Sequence, residues 1–243
     1  MTPTTFDWVF MGVVGLAIGS FLNVCIWRLP LMILERGDEE VPSSGLASFA
    51  HWQRDVWRDV WLAIRRLSSP PSACPSCRAP IAWHHNVPVV GWIALGARGA
   101  PCRSPVAVRC PVVAAATAAL FLLHVGVLGM SPLLWVRLGL LSALIVLFAI
   151  DYDHQLLPDV VTVPGTVVGV VASVFLPPGV LPALLGVVIG GGVLWAVSAA
   201  YFRWRGVEGL GGGDVKMLSM VGAFLGWKLT LATLLFGSLS GAL

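Results

Sequence analysis

Two acids stand where an otherwise apolar chain has little reason to keep them. Asp151 opens "DYDHQLLPD" (151–159), in which Asp151, Asp153, His154 and Asp159 crowd the junction between two apolar runs. Asp214 follows the glycines of "GLGGGDVKML" (209–218). Ionisable groups at membrane depth are costly, and the default expectation is that they are kept for function. Two carboxylates brought together in a poorly solvated site cannot both ionise easily, so they share a proton and titrate as a unit. The ionised member can then take a proton from water while its partner donates one to a carbonyl oxygen, which is the chemistry of aspartic proteases. The spacing alone also suits an ion-coupled transporter, which holds paired acids in broken helices. Simple capping is the structural alternative. Asp153 and Asp159 are read this way, or as acids in interfacial water, with Asp159 as N-cap of a helix starting near Val160 and Asp214 as N-cap of one starting at Val215. Capping accounts for an aspartate at 214 but not for four glycines between Gly209 and Gly213. Glycine permits close backbone approach, the room that an extended peptide docking beside Asp214 needs.

The elements that must bring these acids together are membrane helices. Apolar residues make up 57% of the chain and charged ones 11%, with a mean hydropathy of +0.87, against roughly a quarter charged in soluble domains. The expected fold is all-α, a polytopic bundle of six to seven spans. Apolar stretches long enough to cross a core of about 30 Å fall near 8–27, 111–130, 132–150, 160–177 and 180–202, with shorter pieces at 215–226 and 229–243. The first lacks a basic residue before it and a small-residue cleavage site after it, so it is read as a retained anchor. Ten of the fifteen Lys and Arg residues lie between Arg28 and Arg109, which puts that segment in the cytoplasm and the N-terminus outside. Counting crossings from there returns Arg203 and Arg205 to the inside, with Arg137 and Lys228 as exceptions. Asp151 and Asp214 then share the cytoplasmic side and can meet.

The polar segment has parts of its own. Residues 48–67 place Phe49, Trp52, Val56, Val60 and Ile64 at helical intervals among arginines and aspartates. This is an amphipathic helix, suited equally to a membrane surface and to packing on the rest of the loop. Paired prolines follow, then Cys74 and Cys77 in a C-x-x-C that points to metal or redox chemistry rather than a disulfide scaffold. Glu35, Asp38, Glu39 and Glu40 form an acidic cluster suited to a basic peptide. Nothing in the pattern points to nucleic acid as a partner.

Four stretches resemble the type IV prepilin peptidases, the family of prepilin leader peptidase and N-methyltransferase enzymes whose proteolytic centre is of the intramembrane GxGD aspartic type. They are "GSFLNVCIWRLP" with "MILER", the cysteine loop from Cys74 to Cys102, "DYDHQLLPD" and "GGGDVKML", in the family's order over nearly the whole chain. The resemblance implies that Asp151 and Asp214 are the catalytic pair, supported by Gly211, Gly213 and Lys216. It implies cleavage of type IV prepilins and type II secretion pseudopilins after the glycine that ends a basic leader, at the cytoplasmic face of a bacterial inner membrane. It also implies methylation of the new N-terminus from S-adenosylmethionine. On this reading residues 1–30 are the first transmembrane segment, 31–110 a cytoplasmic loop and 111–243 the transmembrane peptidase core.

Two departures from the family pattern bear on these expectations. Four thiolates would form a tetrahedral Zn²⁺ site, but the second cysteine pair reads "CRSP", leaving Cys74, Cys77 and Cys102 in register. Cys110 is either a displaced fourth ligand or, the preferred reading, an inert buried thiol at the start of the second span. His84 and His85 offer further nitrogen ligands but are as readily explained by packing. The apolar piece 229–243 is short for an untilted span of about 20 residues, which suggests truncation or a re-entrant segment. A degenerate member that binds precursors without turnover is the rival these departures favour, and retention of both aspartates opposes it.

Overall fold

The computed structural model describes residues 3–34, 46–68, 107–206 and 211–241, and every regular element among them is helical. In chain order these are α1 (Thr5–Leu34), α2 (Leu46–Ser68), α3 (Arg109–Leu128), α4 (Pro132–His154), α5 (Asp159–Ala172), α6 (Val180–Arg205) and α7 (Gly212–Gly241). Four of them, α1, α3, α4 and α6, are unbroken and long and apolar enough to cross a membrane, and α7 matches them in total length but is broken at Gly226. The stretch 160–177, expected to span, instead forms the 14-residue α5, about 21 Å long. The two short C-terminal pieces are the halves of α7.

In lipid, helices gain little from burying apolar side chains against each other, so close backbone approach at small residues does much of the packing. On α1, a Cβ at Gly15 or Gly19 would lie 2.6 Å from the Cα of Ala118 or Ala114 on α3. The first half of α7 is gripped on two sides by the same means. A Cβ at Gly165 of α5 would lie 2.4 Å from Met220 Sδ, and one at Gly169 would lie 2.7 Å from the Phe224 ring. On α6, a Cβ at Gly186 would lie 2.3 Å from the Gly222 carbonyl oxygen. Leu140 and Leu147 of α4 complete the packing around Met220, Ala223 and Phe224.

α7 is not one straight rod. A Cβ at Gly190 of α6 would meet both the Leu218 carbonyl oxygen at 2.7 Å and Thr230 Cγ2 at 3.1 Å, yet about 18 Å of straight helix separates residues 218 and 230. The chain reverses at Gly226, whose φ of 74° and ψ of 166° fall in a region essentially reserved for glycine. The half after Gly226 therefore runs back along α6, the re-entrant course considered for the last apolar piece.

α2 lies across the end of the bundle where α1 and α4 terminate. Arg28 donates to the carbonyl of Arg66 at 2.7 Å, countering the partial negative charge of a helix C-terminus. Val56 and Ala63 are buried, but Ile64 is 58% exposed, so the seam runs through Ala63 where Ile64 was expected. Phe49 and Trp52 lie outside the residues whose side chains are described.

Candidate active site

Asp151 reaches the site through the way α4 is started and stopped. Ser131 caps the N-terminus, its hydroxyl accepting from Leu134 N–H, and Pro132 takes a first-turn position where a missing N–H costs nothing. At the other end Gln155 turns left-handed (φ 52°, ψ 39°), and its N–H donates to the Asp151 carbonyl at 2.8 Å. Asp151 therefore occupies the last turn, with its side chain exposed at the helix end.

Asp214 is presented by the start of α7. The helix begins at Gly212, so Asp214 stands in its first turn and is not the N-cap of a helix from Val215. The anionic side chain suits the positive end of the helix. Gly213 has a local reason to be glycine, since a Cβ there would lie 2.7 Å from Leu157 Cβ. The segment after α4 thus presses directly on the peptide before Asp214. The Leu157–Gly213 contact and the pairing of Lys216 with Asp159 bring the segments that carry the two acids, 63 positions apart, to the same end of the bundle. Among the described residues neither carboxylate has a hydrogen-bond or ion-pair partner.

Their neighbours are partnered. Asp153 forms an ion pair with Arg109 of α3, whose other nitrogen donates to the Ala149 carbonyl at 2.9 Å. Asp159 is not an N-cap. That position belongs to Pro158, and Asp159 stands in the first turn of α5 with both its oxygens accepting from Lys216 Nζ, at 2.8 and 2.6 Å. The sequence reading missed this pair. Its signal was Lys216 itself, a cation in an apolar helix that must find an anion, with Asp159 an acid at hand. Gly211 lies beside Asp214, the position of a Cβ there being 3.8 Å from Asp214 Oδ2.

The expected thiol ligands do not come together among the described residues. Cys74, Cys77 and Cys102 lie outside them, as do His84, His85 and the acidic cluster from Glu35 to Glu40. Cys110, expected to be buried, is exposed in the first turn of α3. Its position at the helix end puts the side chain outside the packed stripe of Ala114, Ala118 and Phe121. Its backbone is engaged on both sides, the N–H donating to the Ala107 carbonyl at 3.1 Å and the carbonyl accepting from Asn23 Nδ2 at 3.0 Å. No group of metal-binding side chains occurs among the described residues.

The comparisons fit this arrangement. The pattern of the bacterial peptidase A24 N-terminal domain matches residues 13–127, and that of the type IV leader peptidase family matches residues 138–243. The chain is 36% identical to a prepilin leader peptidase/N-methyltransferase of Pseudomonas putida, over 95% of this chain and 77% of the relative. The like-named protein of Klebsiella pneumoniae is 36% identical over 94% and 90%, and that of Burkholderia pseudomallei strain 1026b is 34% identical over 99% and 76%. No solved structure matches the chain.

Proposed function

The chain belongs to the type IV leader peptidase family, and on that premise we propose that Asp151 and Asp214 are the dyad with which it cleaves prepilins. The observation that carries this reading is the convergence of two carboxylates from α4 and α7 at one end of the bundle, while the acids beside them are tied up in ion pairs. With one proton between them, the ionised carboxylate takes a proton from water and the protonated one donates to the scissile carbonyl oxygen. Collapse of the tetrahedral adduct breaks the C–N bond. The proton passes to the leaving nitrogen, giving a leader carboxylate and a new amino terminus. Type IV prepilins and type II secretion pseudopilins with a basic leader ending in glycine are the substrate class.

The setting is a multi-pass protein of a bacterial inner membrane, surrounded by lipid, N-terminus outside and dyad on the cytoplasmic side. Residues 1–30 are its first span, 31–110 its cytoplasmic loop and 111–243 its peptidase core. The acidic cluster Glu35, Asp38, Glu39 and Glu40 is suited to the basic leader, and neutralising all four is expected to weaken substrate affinity. Methylation of the new N-terminus from S-adenosylmethionine is the second activity, supported by the names of the relatives. When bound, that cofactor supplies the methyl group; the residues that hold it are not assigned. Zinc on Cys74, Cys77 and Cys102 is one thiolate short of a closed set, and exposed Cys110 is free to supply it. Metal content of the wild type and of Cys74→Ser tests this.

The deciding experiment incubates purified protein with a prepilin and compares wild type, Asp151→Ala and Asp214→Ala. Loss of the mature product in both variants supports the dyad, and persistent cleavage in either rejects it. An inert wild type that still binds the precursor favours the non-catalytic rival. The mass of the mature product reports methylation.

A further inference from the structure

Lys216 lies two residues after Asp214, and Asp159 lies eight after Asp151. Their ion pair, with Nζ 2.6 and 2.8 Å from the two carboxylate oxygens, therefore joins the same two segments that carry the acids. It is not the only contact between them, since Leu157, just before Asp159, packs on Gly213, just before Asp214. Both partners are partly shielded, with 36% of the lysine side chain and 28% of the aspartate side chain exposed. We propose that the Asp159–Lys216 pair is a positioning latch for the dyad: it holds the Asp214 turn against the α4–α5 junction and keeps the nearby ammonium electrically balanced.

The physical need for balance follows from the chemistry proposed above, on which the inference rests. A dyad that works with a single proton is sensitive to any change of charge on the segments that carry it. An unbalanced ammonium favours the doubly ionised pair, and an unbalanced carboxylate favours the doubly protonated one. Among the described residues, the other ionisable groups on the elements packed around the start of α7 are Arg137, Tyr152, Asp153 and His154 on α4 and Tyr201, Arg203 and Arg205 on α6. Asp153 is already matched by Arg109, and none of these groups changes in the variants below.

The test is the pH dependence of kcat/KM for prepilin cleavage in Asp159→Asn, Lys216→Met and the double variant, each as the full chain in lipid. Asp159→Asn is expected to move the profile to lower pH and Lys216→Met to higher pH, each by about one pH unit or less for a charge this near in a partly wet site. The double variant is expected to return towards the wild-type position. Profiles that stay in place in both single variants, or that move the same way in both, overturn the proposal. A second readout does not depend on turnover: the pH dependence of Asp214 modification by a carbodiimide, which adds to protonated carboxyls, followed by mass spectrometry. Opposite displacements in the two single variants are again expected, and coincident curves overturn the proposal. Should the wild type cleave nothing at any pH, the peptidase reading fails, while the carbodiimide curves still decide the latch.

Discussion

Asp151 and Asp214 differ from Asp153 and Asp159 in what they do for the fold. The latter two are anchored by Arg109 and Lys216, whereas Asp151 and Asp214 have no such partner among the described residues. Asp151→Asn and Asp214→Asn are accordingly expected to leave the melting temperature within a few degrees of wild type. Cleavage should fall about 10³-fold or more, in line with the loss of acid–base catalysis. A collapse of the melting transition in either would show the acid to be structural. Gly213→Ala acts differently. The new Cβ would meet Leu157 Cβ at 2.7 Å, so about 1–3 kcal/mol of overpacking is expected, relieved in Gly213→Ala/Leu157→Ala. Unfolding of the two variants side by side checks it, and no relief in the double variant would locate the cost elsewhere. The glycine run was conspicuous in the sequence, but the reason for Gly213 is a residue 56 positions away, which no local pattern reveals.

At the scale of elements, the start of α7 is held by glycine faces on α5 and α6. Gly222 is the tightest point, a Cβ there lying 2.2 Å from the Gly186 carbonyl oxygen, while Gly192, further along α6, has nothing within 4 Å. Gly222→Val is expected to lower stability and cleavage together, and Gly192→Ala to change neither. A destabilised Gly192→Ala would contradict the packing described. Gly226→Ala must adopt φ near 74° and approach Pro178 Cβ at 3.0 Å, at a cost of about 1–3 kcal/mol, measurable as a lowered melting temperature with wild-type secondary structure. The spans α1, α3, α4 and α6 were legible because an unbroken apolar run of about 20 residues matches the thickness of a bilayer core and suits little else. The shortness of α5 was not, since the apolar run continues through Val174, Phe175 and Leu176 after the helix has ended.

For the whole molecule the consequence is sidedness. The ends of α4 and α6, the starts of α3, α5 and α7, and the docked end of α2 share one face of the bundle, and Ser131 and Gly226 lie at the other. In vesicles of known orientation, a cysteine at Gln155 is expected to react with a membrane-impermeant reagent from the cytoplasmic side, and one at Ser131 only from the opposite side. Labelling of both from one side would break the crossing count and, with it, the proposed cytoplasmic position of Asp151 and Asp214.

The amino-acid sequence was sufficient for the class of fold and the order of the main spans, because hydropathy is a property of the chain read from end to end. It was sufficient for the family as well, since the motifs are contiguous strings. Three things were settled only by the packed bundle: the pairing of Asp159 with Lys216, the reversal at Gly226 and the exposure of Cys110. Each depends on which surfaces meet across dozens of residues. A capping aspartate and a latched one have the same spelling, and only the lysine that arrives from another helix distinguishes them.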